Sequence, residues 1–363
     1  MTKLANEKNA LNLSQGFPDF NISDNLIELV NYYMKLGKNQ YAPMPGVPEL
    51  RKAISDKIEK LYRCKYDFEN EITITAGATQ ALYTAISVLI NPGDEAIIFE
   101  PAYDSYAPSV IANGGKPVFI SLELPDFSMP WELVNKAVND KTKLIIINSP
   151  HNPTGAIINQ EDIIELEKIV SNKDIFLISD EVYEHIVFDN QKHISICESR
   201  LLRKKSFVIS SFGKTFHTTG WKIGYCAAPK SLTDEFRKLH QFIVFAVNTP
   251  IQFAYADFLQ DYMNYLSISS FYQNKRDYFL KMISDSKFKP LHSFGTYFQL
   301  LDYSDISSLD DFNFCVELID KIGIAAIPLS PFYSNSPTQK LIRICFAKRD
   351  EVLHEAAERI KKL

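Results

Sequence analysis

The sequence has few of the marks of a metal, redox or membrane protein. Its five cysteines, Cys64, Cys197, Cys226, Cys315 and Cys345, include no CxxC pair. An odd, dispersed set in a chain this long reads as reduced, mostly buried thiols in a cytosolic protein. The seven histidines show no HxxH or HxxxH spacing. Glu181, Glu184 and His185 come nearest to a metal motif but lack the second histidine, so no metal site is expected. No apolar run approaches the roughly 20 residues of a membrane helix, and residues 1–6 hold no signal-peptide core. A basic stripe is missing too. The formal net charge is -5 with 23% charged residues of both signs interspersed, which argues against a nucleic-acid partner and against disorder. The densest basic cluster, Arg200 with Arg203-Lys204-Lys205, reads as a solvated turn. No internal repeat or low-complexity tract is present.

What remains is a chain of 363 residues, 46% hydrophobic, long enough for one large domain or two smaller ones with a full core. Short apolar runs recur at 72–75, 95–99, 117–120, 144–147, 175–178, 207–209 and 223–226, with helical stretches at 79–90 and 161–170 between some of them. Most runs are continuously apolar rather than alternating, as expected for strands covered by helices on both faces. An α/β domain around a mostly parallel sheet follows. Ligands of such sheets bind beyond the carboxyl ends of the strands, so polar residues directly after the runs are the candidates.

Those residues have distinct chemistry. Gly77-Ala78-Thr79 follows the first run; it suits a phosphate cradle on free N–H groups, or an ordinary turn capped by threonine. Asn152 lies in a turn-forming stretch, Asn148-Ser149-Pro150-His151-Asn152-Pro153-Thr154-Gly155. Asp180 follows four apolar residues, an expensive place for a carboxylate unless it meets a cation. Ser211 and Lys214 follow the run at 207–209. A lysine at the mouth of a buried strand needs a reason, and an amine that forms a Schiff base with a carbonyl cofactor supplies one. Arg343 interrupts Leu341-Ile342-Arg343-Ile344-Cys345-Phe346, where a guanidinium invites a bidentate carboxylate from an internal acid or from a substrate.

NLSQGFPDF, NQYAPMPGVPELR, TAGATQALY, EPAYDSYAP, SPHNPTG, SDEVY, SFGKTF, GWKIGY and LIRICFAK occur in this order over residues 12–348. In these motifs the chain resembles the class I/II aminotransferases, the fold-type I enzymes that use pyridoxal 5'-phosphate (PLP), and most of all their methionine and kynurenine aminotransferase branch. Those relatives usually carry a longer segment before the first motif. The resemblance implies an α/β fold with a large domain, a mostly parallel seven-stranded sheet sandwiched by helices, over residues 41–251. A smaller α+β domain would combine residues 1–40 and 252–363, closed by a helix at 349–363 whose apolar stripe is for packing.

The resemblance also implies roles. Lys214 would form the Schiff base and shuttle the proton from the substrate's Cα. Asp180 would pair with the protonated pyridine nitrogen, and Tyr183 and Asn152 would hydrogen-bond the phenolic oxygen. Gly77, Ala78, Thr79, Ser211 and Lys222 would hold the phosphate, and Tyr103 would stack on the ring. Arg343 would take the substrate's α-carboxylate with help from Asn152 and the backbone of Gly16. Tyr41 would reach the phosphate of a neighbouring subunit, with Val247-Asn248-Thr249 lining the partner's site, so a homodimer with two shared active sites is expected. Phe17, Phe20, Tyr41, Phe332 and Tyr333 are the expected wall of the substrate pocket.

An aromatic wall without a second arginine suits apolar, thioether or aromatic amino donors rather than dicarboxylates. The expected activity is therefore transamination, with L-methionine first, between an amino acid and a 2-oxo acid. A cysteine-conjugate β-lyase would use the same residues. A PLP-sensing regulator would need a DNA-binding extension, for which NLSQG begins too early.

Overall fold

The computed structural model describes residues 1–171 and 173–363. After β1 (Leu11–Asn12), the seven apolar runs become β2 (Ile72–Thr75), β3 (Glu95–Glu100), β4 (Lys116–Ser121), β5 (Thr142–Asn148), β6 (Phe176–Asp180), β7 (Ser206–Ser211) and β8 (Gly224–Ala227). They form one sheet in the order β2-β8-β7-β6-β5-β3-β4. Every pairing is parallel except those of β8, which runs antiparallel to both β2 and β7.

The continuous apolar character of these strands has a direct cause. Side chains alternate between the two faces, and both faces are covered. Ile98, Ile146, Ile178 and Ile209 pack against the helices Gly77–Leu89 and Lys230–Ile243, while Ile97, Ile145, Ile147 and Leu177 meet the helix Gln160–Ser171 on the other side. All eight are essentially out of solvent, each worth about 1.5–3 kcal/mol of burial. At the other end of the sheet, Ile72, Ile74 and Val208 pack against the helices Pro48–Tyr62 and Thr249–Phe258.

The rest of the chain builds a second, antiparallel sheet from β9 (Lys289–Pro290), β10 (Phe298–Asp302), β12 (Ile327–Pro328) and β13 (Leu341–Cys345), in the order β12-β13-β10-β9. β11 (Ile324–Ala325) pairs instead with β1. The helices Ile268–Met282, Asp311–Ile322 and Asp350–Ile360 cover this sheet around Phe279, Phe314, Ile342, Ile344 and Leu353. Among the described residues no helix is long and apolar enough to cross a membrane, and all five cysteines are free and buried.

One expectation needs adjustment. The basic cluster at 200–205 is not simply a solvated turn: Arg200–Arg203 is helical, Arg203 donates to Cys64 Sγ at 2.8 Å, and Lys205 donates to Val170 O at 2.8 Å. Glu184 and His185, which sequence spacing puts near a metal motif, belong to a buried polar knot. Lys57 Nζ and the Tyr62 hydroxyl each donate to Glu184 at 2.6 Å, with Ser210 and Tyr225 at 2.8 and 3.0 Å. Burial opposes ionisation of Glu184, but Lys57 and these donors outweigh it and hold the carboxyl well below its ordinary range.

Candidate active site

Because β8 runs against its neighbours, its start and the ends of β2, β3, β5, β6 and β7 lie at one edge of the sheet. That edge opens on a cavity of about 440 Å³. Twelve of the residues singled out from the sequence line it: Gly16, Gly77, Ala78, Thr79, Tyr103, Asn152, Asp180, Tyr183, Ser211, Lys214, Lys222 and Arg343. They arrive from separate places, the first turn of the helix after β2, the turn after β3, the loop after β5, the last residues of β6 and β7, and the second sheet.

Lys214 sits in the single helical turn Phe212–Thr215, half-buried, with Nζ 3.3 Å from Gly16 O and 5.8 Å from the ring centres of Tyr183 and Tyr297. Burial lowers its pKa to about 8, helped by the cations of Arg343 and Lys222 and opposed by Cys345 and Asp180. About a tenth is therefore neutral, nucleophilic amine at pH 7, far more than for an ordinary lysine.

Asp180 closes β6 at 3% exposure. Burial raises its pKa to about 6, against the Tyr106 hydroxyl, which donates to Oδ2 at 2.7 Å, and the Val182 N–H at 3.3 Å. Among the described residues no cation pairs with it within 4 Å. Its carboxylate is held in place by neutral donors and is one positive charge short of a favourable environment.

Arg343 belongs to β13. Its neighbours Ile342 and Ile344 point into the core under the helices, so strand alternation turns Arg343 the other way, into the cavity. It is 7% exposed, its guanidinium carbon over the Phe298 ring at 3.9 Å and 5.0 Å from the centre of that of Phe332. Nη1 donates to Asn152 Oδ1 at 2.7 Å and Nη2 to Ser14 O at 3.4 Å, while the buried Nε has no partner. No acid among the described residues forms a salt bridge with it, which leaves a fork of donors open to a carboxylate from outside.

The turn after β2 is not an ordinary threonine cap. The helix Gly77–Leu89 begins with no side-chain cap bond, and the Thr79 hydroxyl lies 3.4 Å from that of Tyr103. Gly77 has φ +76°, and a Cβ there would come within 3.3 Å of Lys222 Nζ. A Cβ on Gly224 would meet Ser210 O at 2.7 Å and Ala78 N at 3.0 Å. Lys222 itself adopts a left-handed conformation, φ 54°. The outcome is a small bay of free N–H groups beside an ammonium, the chemistry of a phosphate site.

Five predicted residues lie elsewhere. Tyr41 is 83% exposed, its ring edge-on to Phe245 at 5.4 Å, and it does not line the cavity. Phe17 is 42% exposed and also outside it, because buried Lys348 binds its carbonyl at 2.9 Å and sits over its ring at 5.0 Å. Nor do Phe20, Phe332 or Tyr333 line the cavity; its aromatic members are Tyr103, Tyr183 and Phe298.

Some participants had no sequence argument. Tyr106 orients Asp180; its spacing of three from Tyr103 at a helix start was the available signal. Asn148, the last residue of β5, ties the Asp180 carbonyl (2.9 Å) to the Asn152 N–H (2.9 Å). The Tyr297 hydroxyl anchors Gly16 O at 2.7 Å across 281 residues, which no local pattern reveals.

The family described as aminotransferase class I and II matches residues 8–360. The methionine aminotransferase of Escherichia coli K12 is 46% identical, covering all of this chain and 94% of its own length. A crystal structure of YbdL from Escherichia coli, whose reactivity is said to identify a methionine aminotransferase function, superimposes with a TM-score of 0.98 at 46% identity, over 100% of this chain and 95% of that one. Human kynurenine–oxoglutarate transaminase 1 is 33% identical over 99% of this chain and 94% of its own. With this similarity over its full length and the cavity at the carboxyl edge of its sheet, the chain belongs to the class I and II aminotransferase family.

Proposed function

We propose that this aminotransferase moves the amino group of a neutral L-amino acid with a thioether, apolar or aromatic side chain, methionine first, to a 2-oxo acid, using pyridoxal 5'-phosphate in alternating half-reactions. The carrying observation is that an acid without a cation, a cation without an acid and a lysine of lowered pKa share one cavity, Asp180, Arg343 and Lys214. The three residues fit the cofactor and an amino acid together. The Gly77 bay with Thr79, Ser211 and Lys222 would hold the phosphate, Asp180 the ring nitrogen, and Tyr183 and Asn152 the phenolic oxygen, with Tyr103 on the ring face. When bound, the cofactor supplies an electron-poor ring that takes up the electron pair left at Cα when its proton departs.

The protein's own work is placement and proton transfer. Arg343 grips the α-carboxylate in a bidentate pair, with Asn152 fixing the guanidinium plane. That grip sets the Cα–H bond toward Lys214 Nζ, which takes the proton as a general base. The anionic form of Asp180 is favoured once a cation stands against it, so its carboxyl falls back below the value of about 6 it has alone. Methionine leads because the cavity offers apolar and aromatic surface, Leu82, Val182, Phe298 and Ile327, and no further cation for a distal carboxylate.

The same reading divides the chain into a PLP-binding domain over 41–251 and a smaller domain from 1–40 and 252–363. It also pairs two copies as a homodimer with shared active sites, Tyr41 serving the partner's phosphate. Exposed Phe242 (84%) and Tyr41 (83%) support such a face, with Thr249 donating to Gln40 O at 2.6 Å beside it.

An amino-donor panel with the PLP-loaded protein tests the substrate reading. Keto acid should form fastest from methionine, followed by phenylalanine, tyrosine, leucine, glutamine and kynurenine, and only with a 2-oxo acid acceptor present. A clear preference for aspartate, or equal keto acid release without an acceptor, would overturn it.

A further inference from the structure

The cavity has five charged lining residues: Asp104, Asp180, Lys214, Lys222 and Arg343. The proposed function gives four of them an opposite charge or a covalent task. Lys222 meets the phosphate, Asp180 the ring nitrogen, Arg343 the α-carboxylate, and Lys214 does the chemistry. Asp104 is left over.

Asp104 stands between Tyr103 and the helix Tyr106–Ala112, on the turn that β3 delivers to the cavity. It is exposed, and among the described residues its carboxylate makes no hydrogen bond or ion pair with any side chain or backbone group. Its charge reaches both the Arg343 guanidinium and the Tyr103 hydroxyl. An unpaired carboxylate therefore stands at the wall of the cavity that Arg343 also lines.

We propose that Asp104 is a specificity-determining residue that repels a distal carboxylate, so that both half-reactions favour monocarboxylic partners: neutral amino acids as donors and 2-oxo acids without an ω-carboxylate as acceptors. The inference rests on the proposed function and deepens it. The physical basis is like-charge opposition at the cavity wall, which suppresses the wrong partner without adding a contact to the right one. Geometry alone would not separate a glutamate from a glutamine side chain, since the two differ only in charge and donor pattern. No cation is left over to welcome the extra carboxylate.

Glutamine and glutamate are therefore the probes, an isosteric pair differing by one negative charge. The measurement is kcat/KM for each as amino donor, with the PLP-loaded enzyme, for wild type, Asp104→Asn and Asp104→Glu. Wild type should favour glutamine. Asp104→Asn should shift the ratio toward glutamate by about tenfold, chiefly through KM, as expected for loss of one unit charge several ångströms away across a partly wet site. Added salt should narrow the wild-type ratio and leave that of Asp104→Asn nearly flat. Asp104→Glu keeps the charge and should keep the wild-type preference. The inference fails if Asp104→Asn leaves the ratio unchanged, or if Asp104→Glu moves it as far as Asp104→Asn does, because shape rather than charge would then decide. A wild type that transaminates methionine while the ratio ignores Asp104 sinks this inference alone; a wild type inactive with every amino acid sinks the proposed function and this inference with it.

Discussion

Replacing Arg343 by methionine should abolish most activity while leaving the apoprotein as stable as before, or more so. A buried ion pair behaves otherwise: removing one partner strands the other and costs about 3–5 kcal/mol. Arg343 has no such partner. Its guanidinium is 7% exposed, burial lowers its pKa, and its hydrogen bonds go to two neutral acceptors, Asn152 Oδ1 and Ser14 O. Both acceptors belong to residues lining the cavity, where water can replace the lost donors. Methionine fills similar volume against Phe298 and Phe332, so the change in unfolding free energy should stay within about 1 kcal/mol of zero or be favourable. The catalytic cost is different. A bidentate pair provides two charge-assisted hydrogen bonds, each worth about 1.5–3 kcal/mol, and their loss amounts to a factor of roughly 10²–10⁴ in kcat/KM. Urea unfolding of the apoprotein and steady-state kinetics with methionine check the two halves separately. Destabilisation near 4 kcal/mol would refute the reasoning by revealing a structural partner; a kcat/KM loss below tenfold would refute the carboxylate role.

Two further outcomes follow from the same site. Lys214→Met, without cofactor, should be more stable than wild type at pH 7 by about 2–3 kcal/mol, because the folded-state pKa of about 8 lies below the ordinary lysine value. Between about pH 8 and 10.5 the unfolded wild-type chain binds more protons than the folded one, so wild-type stability rises there relative to the variant. The gap should therefore close toward pH 10.5, and a gap that stays constant in urea titrations across this range would contradict the assigned burial penalty. Gly77→Ala forces an L side chain into φ +76° and puts a methyl 3.3 Å from Lys222 Nζ. PLP affinity measured by absorbance titration should fall about tenfold or more, at a backbone strain of about 1–2 kcal/mol, with the far-UV circular dichroism unchanged.

The large sheet was legible in the sequence because of how it is buried. Strands such as β3 and β5 meet helices on both sides, so they read as unbroken apolar runs, and each of the seven was found within one or two residues of its ends. Strands of two residues, β9 and β12, are too short to show a period and were not seen. The polar residues that end these strands were also legible, because a sheet of this kind exposes its carboxyl edge to ligands and their types, amine, acid and small-residue turn, carry recognisable chemistry. Their roles were drawn from the motifs shared with the aminotransferases, not from periodicity.

What the sequence by itself determined was local: where the strands of the large sheet and a few of the helices run, which strand ends carry charge, and that Lys214, Asp180 and Arg343 each occupy a costly position. Which of these charges meet was decided only by the tertiary structure. Among the described residues Arg343 finds Asn152 across 191 residues and no acid, Asp180 finds Tyr106 and no cation, and the Asp104 carboxylate finds no partner. These charges come from β6, from the turn after β3 and from β13 of the second sheet, and they share one cavity only in the folded chain. Local propensity has no term for such encounters, since the energy that sets them comes from packing elements far apart in the chain.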